Sequence, residues 1–327
     1  MCSLNRHTAR KHGAFLLWFV WVALWLPASA AAWGRRAHEM VNAAAIRDLP
    51  APLRAYFQVY AFEIVDRASE PDELARGNRA EERHHFTDAD AYDSFPFRQL
   101  RQQFVVERLG PTRTEMRNGD SIWQIERFTV RLENDFRRGW RASTVNDAIF
   151  AAHYAADLTQ PLHTTANFDG QRTGQRGIHQ AFESGVVNLC ADGWTVNPKP
   201  AAEIFNLRAR IFSELLTSYQ ASGAVFAADR EVRKRVRPGD PQYLPALARL
   251  LGPLARSRLD DAACFVASLW YTAWKRAGSP DLRAFASAAS SGLSVTPRQI
   301  GYEHLLSSGD LPVAPKPVVA AGRLPFS

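Results

Sequence analysis

The stretch "HYAADLTQPLH", from His153 to His163, joins a strong helical pattern to a turn. His153 and Asp157 are four residues apart, and about 400° of helical rotation returns both side chains to one face. Pro161 cannot continue the helix, and Gln160 before it is biased towards extended geometry. His163 therefore follows a turn, near the first pair but pointing elsewhere. Taken alone, the stretch is more typical of an ordinary polar pair on a helix and an unrelated loop histidine.

Helical periodicity extends in both directions from this stretch. Apolar residues recur at i, i+3 and i+4, and the strand-like alternation of β-branched residues is nearly absent. The chain is therefore predicted to be all-α, with Ser143 or Thr144 as the cap of the helix that leads into His153. The predicted helices cover residues 37–48, 53–65, 99–109, 121–138, 145–158, 201–219, 241–251 and 253–276.

Two other segments carry the same residue types. "GIHQAFE" places His179 and Glu183 four residues apart on a short helix after a glycine. The polar connection 66–94 contains Asp72 and the adjacent His84 and His85. A surface pair and a solvated charged loop are the ordinary explanations for each segment taken by itself.

The first 32 residues have the parts of a secretory signal: a positive start, an apolar run at 14–26 and an A-x-A site that ends at Ala32. The run has 13 residues, fewer than the roughly 20 of a spanning helix, so cleavage is favoured over an uncleaved membrane anchor. We therefore expect a secreted or periplasmic protein. Cleavage would give Trp33 a free α-amine, a further nitrogen donor, and His38 lies five residues after it.

Composition limits the function classes. Removal of the signal leaves 295 residues and lowers the formal charge from +7 to about +4. This small positive charge gives only weak support for a dedicated nucleic-acid surface. Cys190 and Cys264 are the cysteines beyond the signal. Because exported proteins fold in an oxidising compartment, we predict a disulfide between these two. The alternative is two buried free thiols.

Taken together, the histidines and acids point to metal. Imidazole and carboxylate are the ligands that zinc prefers beside thiolate, and their number suffices for more than one ion. Beyond the signal the histidines are His38, His84, His85, His153, His163, His179 and His304. We expect His84 to be exposed, His304 to have no role, and Asp88 to hydrogen-bond His85.

These motifs, in this order, resemble the zinc-dependent phospholipase C / P1–S1 nuclease superfamily. "WGRRAH" resembles the processed amino terminus of that family, "HHFTDAD" its His-Phe-x-Asp stretch with His85 as the ligand, and "HYAADLTQPLH" its His-x3-Asp-x5-His motif. The resemblance covers about residues 33–185. It implies a single multi-helix catalytic domain at 33–278, after the signal at 1–32 and before a peripheral proline-rich extension at 279–327.

The resemblance also implies three Zn²⁺ ions. The implied ligand sets are Asp72, His85, His153 and Asp157 for one ion, Trp33, His38 and the bridging Asp157 for its neighbour, and His163, His179 and Glu183 for the third. Water activated by the paired ions would hydrolyse a phosphodiester, with Asp72 and Asp157 as the catalytic carboxylates.

The substrate class stays open at this stage. His179 follows His163 by 16 residues and its partner is a glutamate, which resembles the phospholipase C branch. The expected partner is thus a phospholipid substrate. We expect the protein to be a monomer that contacts a membrane surface transiently. The alternatives are an S1/P1-type single-strand nuclease (3'-nucleotidase) with a single-stranded nucleic-acid substrate, and a non-catalytic exported zinc-binding protein.

Overall fold

The computed structural model describes residues 33–282, and these residues form α-helices without strands, which confirms the all-α prediction. The signal at 1–32 and nearly all of the extension at 279–327 lie outside the described residues. The α-helices are α1 Arg35–Asp48, α2 Ala51–Val59, α3 Ala61–Asp66, α4 Glu70–Ala75, α5 Arg79–Glu82, α6 Arg98–Arg101, α7 Ser121–Arg138, α8 Arg141–Thr159, α9 Ile178–Gln180, α10 Val187–Cys190, α11 Leu207–Arg233 and α12 Tyr243–Arg276.

Short segments of other helix types complete the structure, and three of them carry the predicted site residues His85, His163 and Glu183. The 3-10 segments are Arg83–His85, Ala89–Ala91, Glu115–Asn118, Pro161–Thr164 and Ala191–Gly193. The π-helical segments are Gln102–Val106, which lies within the helix predicted at 99–109, and Ala181–Val186, which joins α9 to α10.

Helix α8 lies at the centre of the fold, with α1, α3, α7, α11 and α12 in contact with it. Every residue from Ser143 to Thr159 is buried, so this helix has no polar face towards solvent. The predicted cap is wrong, because α8 begins at Arg141 after Trp140, and the Thr144 hydroxyl donates to the Trp140 carbonyl. A helix buried on all sides can present polar residues only to the interior.

Helix α12 runs through Pro253, although the sequence predicts two helices there. Proline in a helix interior costs about 3 kcal/mol. Leu251, Ala255 and Leu259 on the two sides of Pro253 are buried, and a buried aliphatic side chain of Leu size stabilises by roughly 1.5–3 kcal/mol. Packing on both sides of the proline therefore offsets its local cost.

Helix α11 begins at Leu207 rather than at the predicted residue 201, and it continues to Arg233. The backbone N–H groups of Ala202 and Ile204 donate instead to the hydroxyls of Ser268 and Thr272 on α12, at 3.1 and 2.9 Å. Hydroxyl groups of a neighbouring helix thus replace the helical bonds that the sequence pattern predicts.

The structure does not contain the predicted disulfide, since Cys190 and Cys264 are both free. Cys190 lies against α12 at Gly252, where an added Cβ would be 3.8 Å from the sulfur. Cys264 is twelve residues further along the same helix, a rise of about 18 Å. A disulfide requires Cα atoms within about 7 Å, so this fold keeps the two cysteines too far apart.

Among residues 33–282, none of the helices is both long enough and apolar enough to pass through a lipid bilayer.

Candidate metal centre

The structure gathers eight predicted His, Asp and Glu ligands into two adjacent clusters. The first, called here the Asp157 cluster, consists of His38, Asp72, His85, His153 and Asp157. The second, called the Glu183 cluster, consists of His163, His179 and Glu183.

Different elements deliver the members of the Asp157 cluster. Helix α8 supplies His153 and Asp157 from one face, as their spacing predicts. His38 comes from the first turns of α1 and its ring stacks on that of His153, with centroids 4.0 Å apart. Asp72 lies on α4, and His85 ends the 3-10 turn after α5. Residues far apart in sequence therefore meet at the buried C-terminal part of α8.

Gly119 ties the turn of His85 to helix α7. Its φ is +78°, and an added Cβ would lie only 2.1 Å from the Phe86 carbonyl oxygen. The Ser121 N–H, at the start of α7, donates to that same oxygen at 3.1 Å, and the Asp120 N–H donates to the Arg83 carbonyl at 3.0 Å. Only glycine permits this close approach, which fixes the turn against the rigid α7.

Four donor atoms of the Asp157 cluster converge on one point. His85 Nδ1 is 2.9 Å from Asp157 Oδ2 and 3.1 Å from His153 Nε2, and the last two atoms are 3.3 Å apart. Asp72 Oδ1 is 3.6 Å from His85 Nδ1 and 3.5 Å from His153 Nε2. Zinc with bonds of about 2.0–2.1 Å to four tetrahedral donors separates those donors by about 3.3 Å. The observed separations lie around this value.

The other carboxylate oxygen of Asp157 faces a different imidazole. Asp157 Oδ1 is 3.3 Å from His38 Nε2. Both atoms are buried, and neither has a hydrogen bond of good geometry. Buried polar atoms without partners are costly, and a cation between them would satisfy both. Asp157 is thus placed to serve two cation positions, one through each oxygen.

Electrostatics in the Asp157 cluster favour a carboxylate and a nearby cation. Burial opposes the ionised form of Asp157, but His153, with help from His38 and His85, holds the pKa of Asp157 well below its usual range. Burial alone would lower the pKa of His85, whereas the neighbouring carboxylates of Asp157 and Glu81 raise that pKa to about 9. Burial also opposes protonation of His153, but neighbouring carboxylates raise its pKa well above its usual range, whereas burial and the neighbouring His153 lower the pKa of His38.

The Glu183 cluster has the same geometry with three residues. His179 Nε2 is 2.8 Å from Glu183 Oε2 and 3.2 Å from His163 Nε2, and His163 Nε2 is 3.7 Å from Glu183 Oε2. All three side chains are buried. Two imidazole nitrogens and one carboxylate oxygen face a common point, which is a facial set of donors for one ion.

Backbone carbonyls orient three of the histidine rings. His153 Nδ1 donates to the Ala68 carbonyl at 2.8 Å, His163 Nδ1 to the His85 carbonyl at 2.7 Å, and His179 Nδ1 to the Phe168 carbonyl at 3.2 Å. A ring that donates from Nδ1 presents the lone pair of its neutral form at Nε2, the atom that faces the cluster. The bond from His163 to His85 also joins the two clusters directly.

Trp33 contacts residues close in sequence to members of both clusters. Its side chain is fully buried, and the indole N–H donates to Thr159 Oγ1 at 3.3 Å, at the end of α8. The indole also contacts Phe182, the residue before Glu183, with ring centroids 5.6 Å apart. Gly34 packs so closely on Ser184 that an added Cβ would lie 2.7 Å from its hydroxyl. The residue predicted to become the amino terminus is therefore anchored beside both clusters.

Two expectations about neighbouring residues are corrected by the structure. His84 is buried rather than exposed, and its Nδ1 lies 2.7 Å from Asp120 Oδ1. The carboxylate at the Nε2 side of His85 belongs to Glu81, at 3.6 Å, in place of the expected Asp88. Glu81 is fully buried and accepts a hydrogen bond from the Tyr154 hydroxyl at 2.5 Å.

Gln160 is a further residue whose role only the structure reveals. Its side-chain oxygen accepts from the Leu162 N–H at 2.5 Å, and its Nε2 lies 3.3 Å from both Glu183 Oε2 and His179 Nε2. It therefore caps the turn that carries His163 and donates to the carboxylate of the Glu183 cluster. In the sequence, this glutamine before a proline indicated the end of a helix and did not predict a contact with Glu183.

Comparison with known proteins gives no family: no family model and no curated protein matches this chain. What the structure establishes is that three groups of His, Asp and Glu side chains are arranged so that they could hold metal ions.

Proposed function

We propose that this chain is a zinc-dependent phosphodiester hydrolase with three ion positions. The observation that carries the proposal is the carboxylate of Asp157, which faces His85 and His153 with one oxygen and His38 with the other. A carboxylate shared in this way supports a pair of neighbouring ions, the arrangement used for in-line displacement at phosphorus.

The donor chemistry fits zinc. In the Asp157 cluster, Asp72, His85, His153 and Asp157 would hold one ion, and His38, Asp157 and the Trp33 amine would hold its neighbour. The Glu183 cluster would hold the third. Bound zinc lowers the pKa of a coordinated water and neutralises charge on phosphoryl oxygens. The mixture of imidazole nitrogen and carboxylate oxygen suits zinc better than the all-oxygen sites of Mg²⁺ or Ca²⁺.

The residues of the chain contribute charge, orientation and exclusion of water. Asp72, Asp157 and Glu183 supply the anionic charge that several dications in one site require. The hydrogen bonds from Nδ1 of His153, His163 and His179 to backbone carbonyls direct the Nε2 atoms of these rings towards the clusters. The Glu183 cluster offers three protein donors, so a four-coordinate ion there keeps one position for water or substrate, as in catalytic rather than structural zinc sites.

The role of the Trp33 amine is testable because it depends on cleavage. Mature protein that begins at Trp33 should bind one more ion than protein with a single alanine placed before Trp33, since an amide nitrogen is not a ligand. Amino-terminal sequencing and metal content measure both halves of this expectation. Equal metal content in the two forms would remove Trp33 from the ligand set.

A phospholipid is the first candidate substrate. The glutamate at 183 and the short interval between His163 and His179 resemble the phospholipase C branch. A second candidate, single-stranded nucleic acid, is favoured by Phe168, which is 39% exposed and lies edge-on to His179 at 5.8 Å, with the exposed Arg172 in the same loop. An aromatic ring and a cation beside an ion position can stack a base and contact a phosphate.

The experiment combines metal analysis with two substrates. Mature protein is assayed for zinc content and for hydrolysis of phosphatidylcholine and of single-stranded DNA, before and after chelation. Zinc-dependent hydrolysis of either one supports the proposal, and the ratio of rates identifies the branch. Bound zinc with neither hydrolysis would favour a non-catalytic zinc-binding protein and overturn the proposal.

A further inference from the structure

A buried glutamine anchors the loop that separates His163 from His179. The loop spans residues 165–178, and its Gln175 side chain is buried against helix α11. Gln175 Nε2 donates to Asp229 Oδ2 at 2.7 Å and to the Phe226 carbonyl at 2.9 Å. This side chain ties the loop to the last turns of α11.

Asp229 is the centre of this anchor. Its carboxylate is fully buried and accepts hydrogen bonds from Gln175, from Arg233 Nε at 2.7 Å and from the Tyr243 hydroxyl. Arg233 also donates to the backbone carbonyls of Gln175 and Arg176, at 3.0 and 2.9 Å. We call Gln175, Asp229, Arg233 and Tyr243 the Asp229 clamp. It holds the loop by a side chain and by two carbonyls.

The clamp reaches the rest of the loop through Gly170. The Gln175 N–H donates to the Gly170 carbonyl at 2.8 Å. Gly170 has φ of +66°, and an added Cβ would lie 2.6 Å from the Gln175 Cβ. Because the two residues are in such close contact, the position of Gln175 sets the position of the turn at Gly170 and of Asp169 before it.

That turn holds His179. Asp169 Oδ1 accepts from the N–H groups of Gly177 and His179, at 2.9 and 3.3 Å, where helix α9 begins. The Phe168 carbonyl accepts from His179 Nδ1 at 3.2 Å. The rest of the loop thus fixes both the backbone and the ring orientation of a residue in the Glu183 cluster.

We propose that the Asp229 clamp is a positioning device for the third ion position, with Gln175 as its positioning residue; this inference rests on the proposed function. His163 is fixed by α8 and by the His85 carbonyl, on the other side of the cluster. His163 is therefore positioned by the end of α8 and His179 by the loop 165–178. The clamp keeps the loop, and with it His179, at a constant distance from His163. Removal of the clamp widens the distribution of His179 positions. It therefore lowers the affinity for the third ion and leaves the affinities for the two ions at Asp157 unchanged.

Gln175→Met is the cleanest test, because methionine has a similar volume and leaves Asp229 paired with Arg233 and Tyr243. Zinc affinity is measured by competition with a chromophoric chelator, using the mature protein and counting ions per chain. Loss of an outer contact to a ligand histidine typically costs 10–100-fold in metal affinity. Gln175 acts through the loop, so we expect about a 10-fold loss for one ion and no change for the other two.

Two variants identify the ion and separate positioning from general destabilisation. Glu183→Gln removes a ligand of the third ion and so identifies which affinity belongs to it. The double variant Glu183→Gln with Gln175→Met should bind zinc as Glu183→Gln alone does. Arg208→Met breaks the matched ion pair between Arg208 Nε and Glu126, 2.6 Å long, at the opposite end of α11. This control should lower the melting temperature while all three ions keep their affinities.

If Gln175→Met bound all three ions with wild-type affinity, or lost the same factor in affinity for all three, the inference would be overturned. The proposed function would not be affected by either result. A wild-type protein that binds no zinc would overturn both.

Discussion

Replacing Asp157 by asparagine tests the shared carboxylate most directly. The substitution conserves shape, but it removes the negative charge and exchanges one oxygen for an amide nitrogen that cannot bind metal. Both oxygens of Asp157 are in use, since Oδ2 lies 2.9 Å from His85 Nδ1 and Oδ1 lies 3.3 Å from His38 Nε2. The change should therefore act on both of the proposed ion positions that share Asp157.

The magnitude follows from the number of interactions lost. Each interaction with a charged group contributes about 1.5–3 kcal/mol, so two ion positions lose roughly 3–6 kcal/mol in total. At 1.4 kcal/mol for each factor of ten, the product of the two binding constants falls by roughly 10²–10⁴. Dialysis against buffered zinc should leave Asp157→Asn with the third ion and with reduced occupancy of the pair, and hydrolysis should fall with it.

Asp147→Asn is the matched control. Asp147 is buried on the same helix, ten residues earlier, and pairs with Arg131 at 2.9 Å, away from both clusters. This control should lose stability and keep its metal. If Asp157→Asn retained three ions at wild-type affinity, the assignment of Asp157 as the shared ligand would be refuted.

Four further outcomes are expected. Glu183→Gln should lower zinc content by one ion per chain, measured by elemental analysis, and a loss of two would mean that the clusters are not separate. Glu81→Gln should weaken zinc binding about 10-fold through the histidine beside it, measured by chelator competition, because a carboxylate next to a ligand imidazole raises its basicity; unchanged affinity would show that Glu81 only packs. Thiol titration of the unfolded, unreduced protein should find Cys190 and Cys264 both free, and a mass shift on reduction would contradict the structure. Burial and the charge of Asp147 raise the pKa of Asp135 well above its ordinary value of 3.8, so the native state retains a proton that the unfolded chain releases. Stability should therefore fall as pH rises above this ordinary value, and Asp135→Asn should raise the melting temperature more at neutral pH than at pH 4; an unchanged slope in thermal unfolding across pH would contradict this.

Local pattern predicted much of the helical structure because apolar spacing reports which face of a segment is buried. It predicted α7 with its observed bounds and the common face of His153 and Asp157. It misplaced the start of α11, where the hydroxyls of Ser268 and Thr272 take the backbone N–H groups, and it divided α12 at Pro253. In each case a contact from another helix outweighed a local preference.

The sequence by itself determined which donors are present and which of them share a helix face, because these properties depend on residue type and on 3.6 residues per turn. It could not determine that Glu81 would lie beside His85, that Gln160 would donate to Glu183, or that Gln175 would anchor its loop on Asp229. Nor could it determine that Cys190 would pack against α12 at Gly252, far from Cys264. Those relations join segments that approach one another only after the helices pack around α8. Distances between side chains across helices depend on that packing, and no spacing along the chain encodes them.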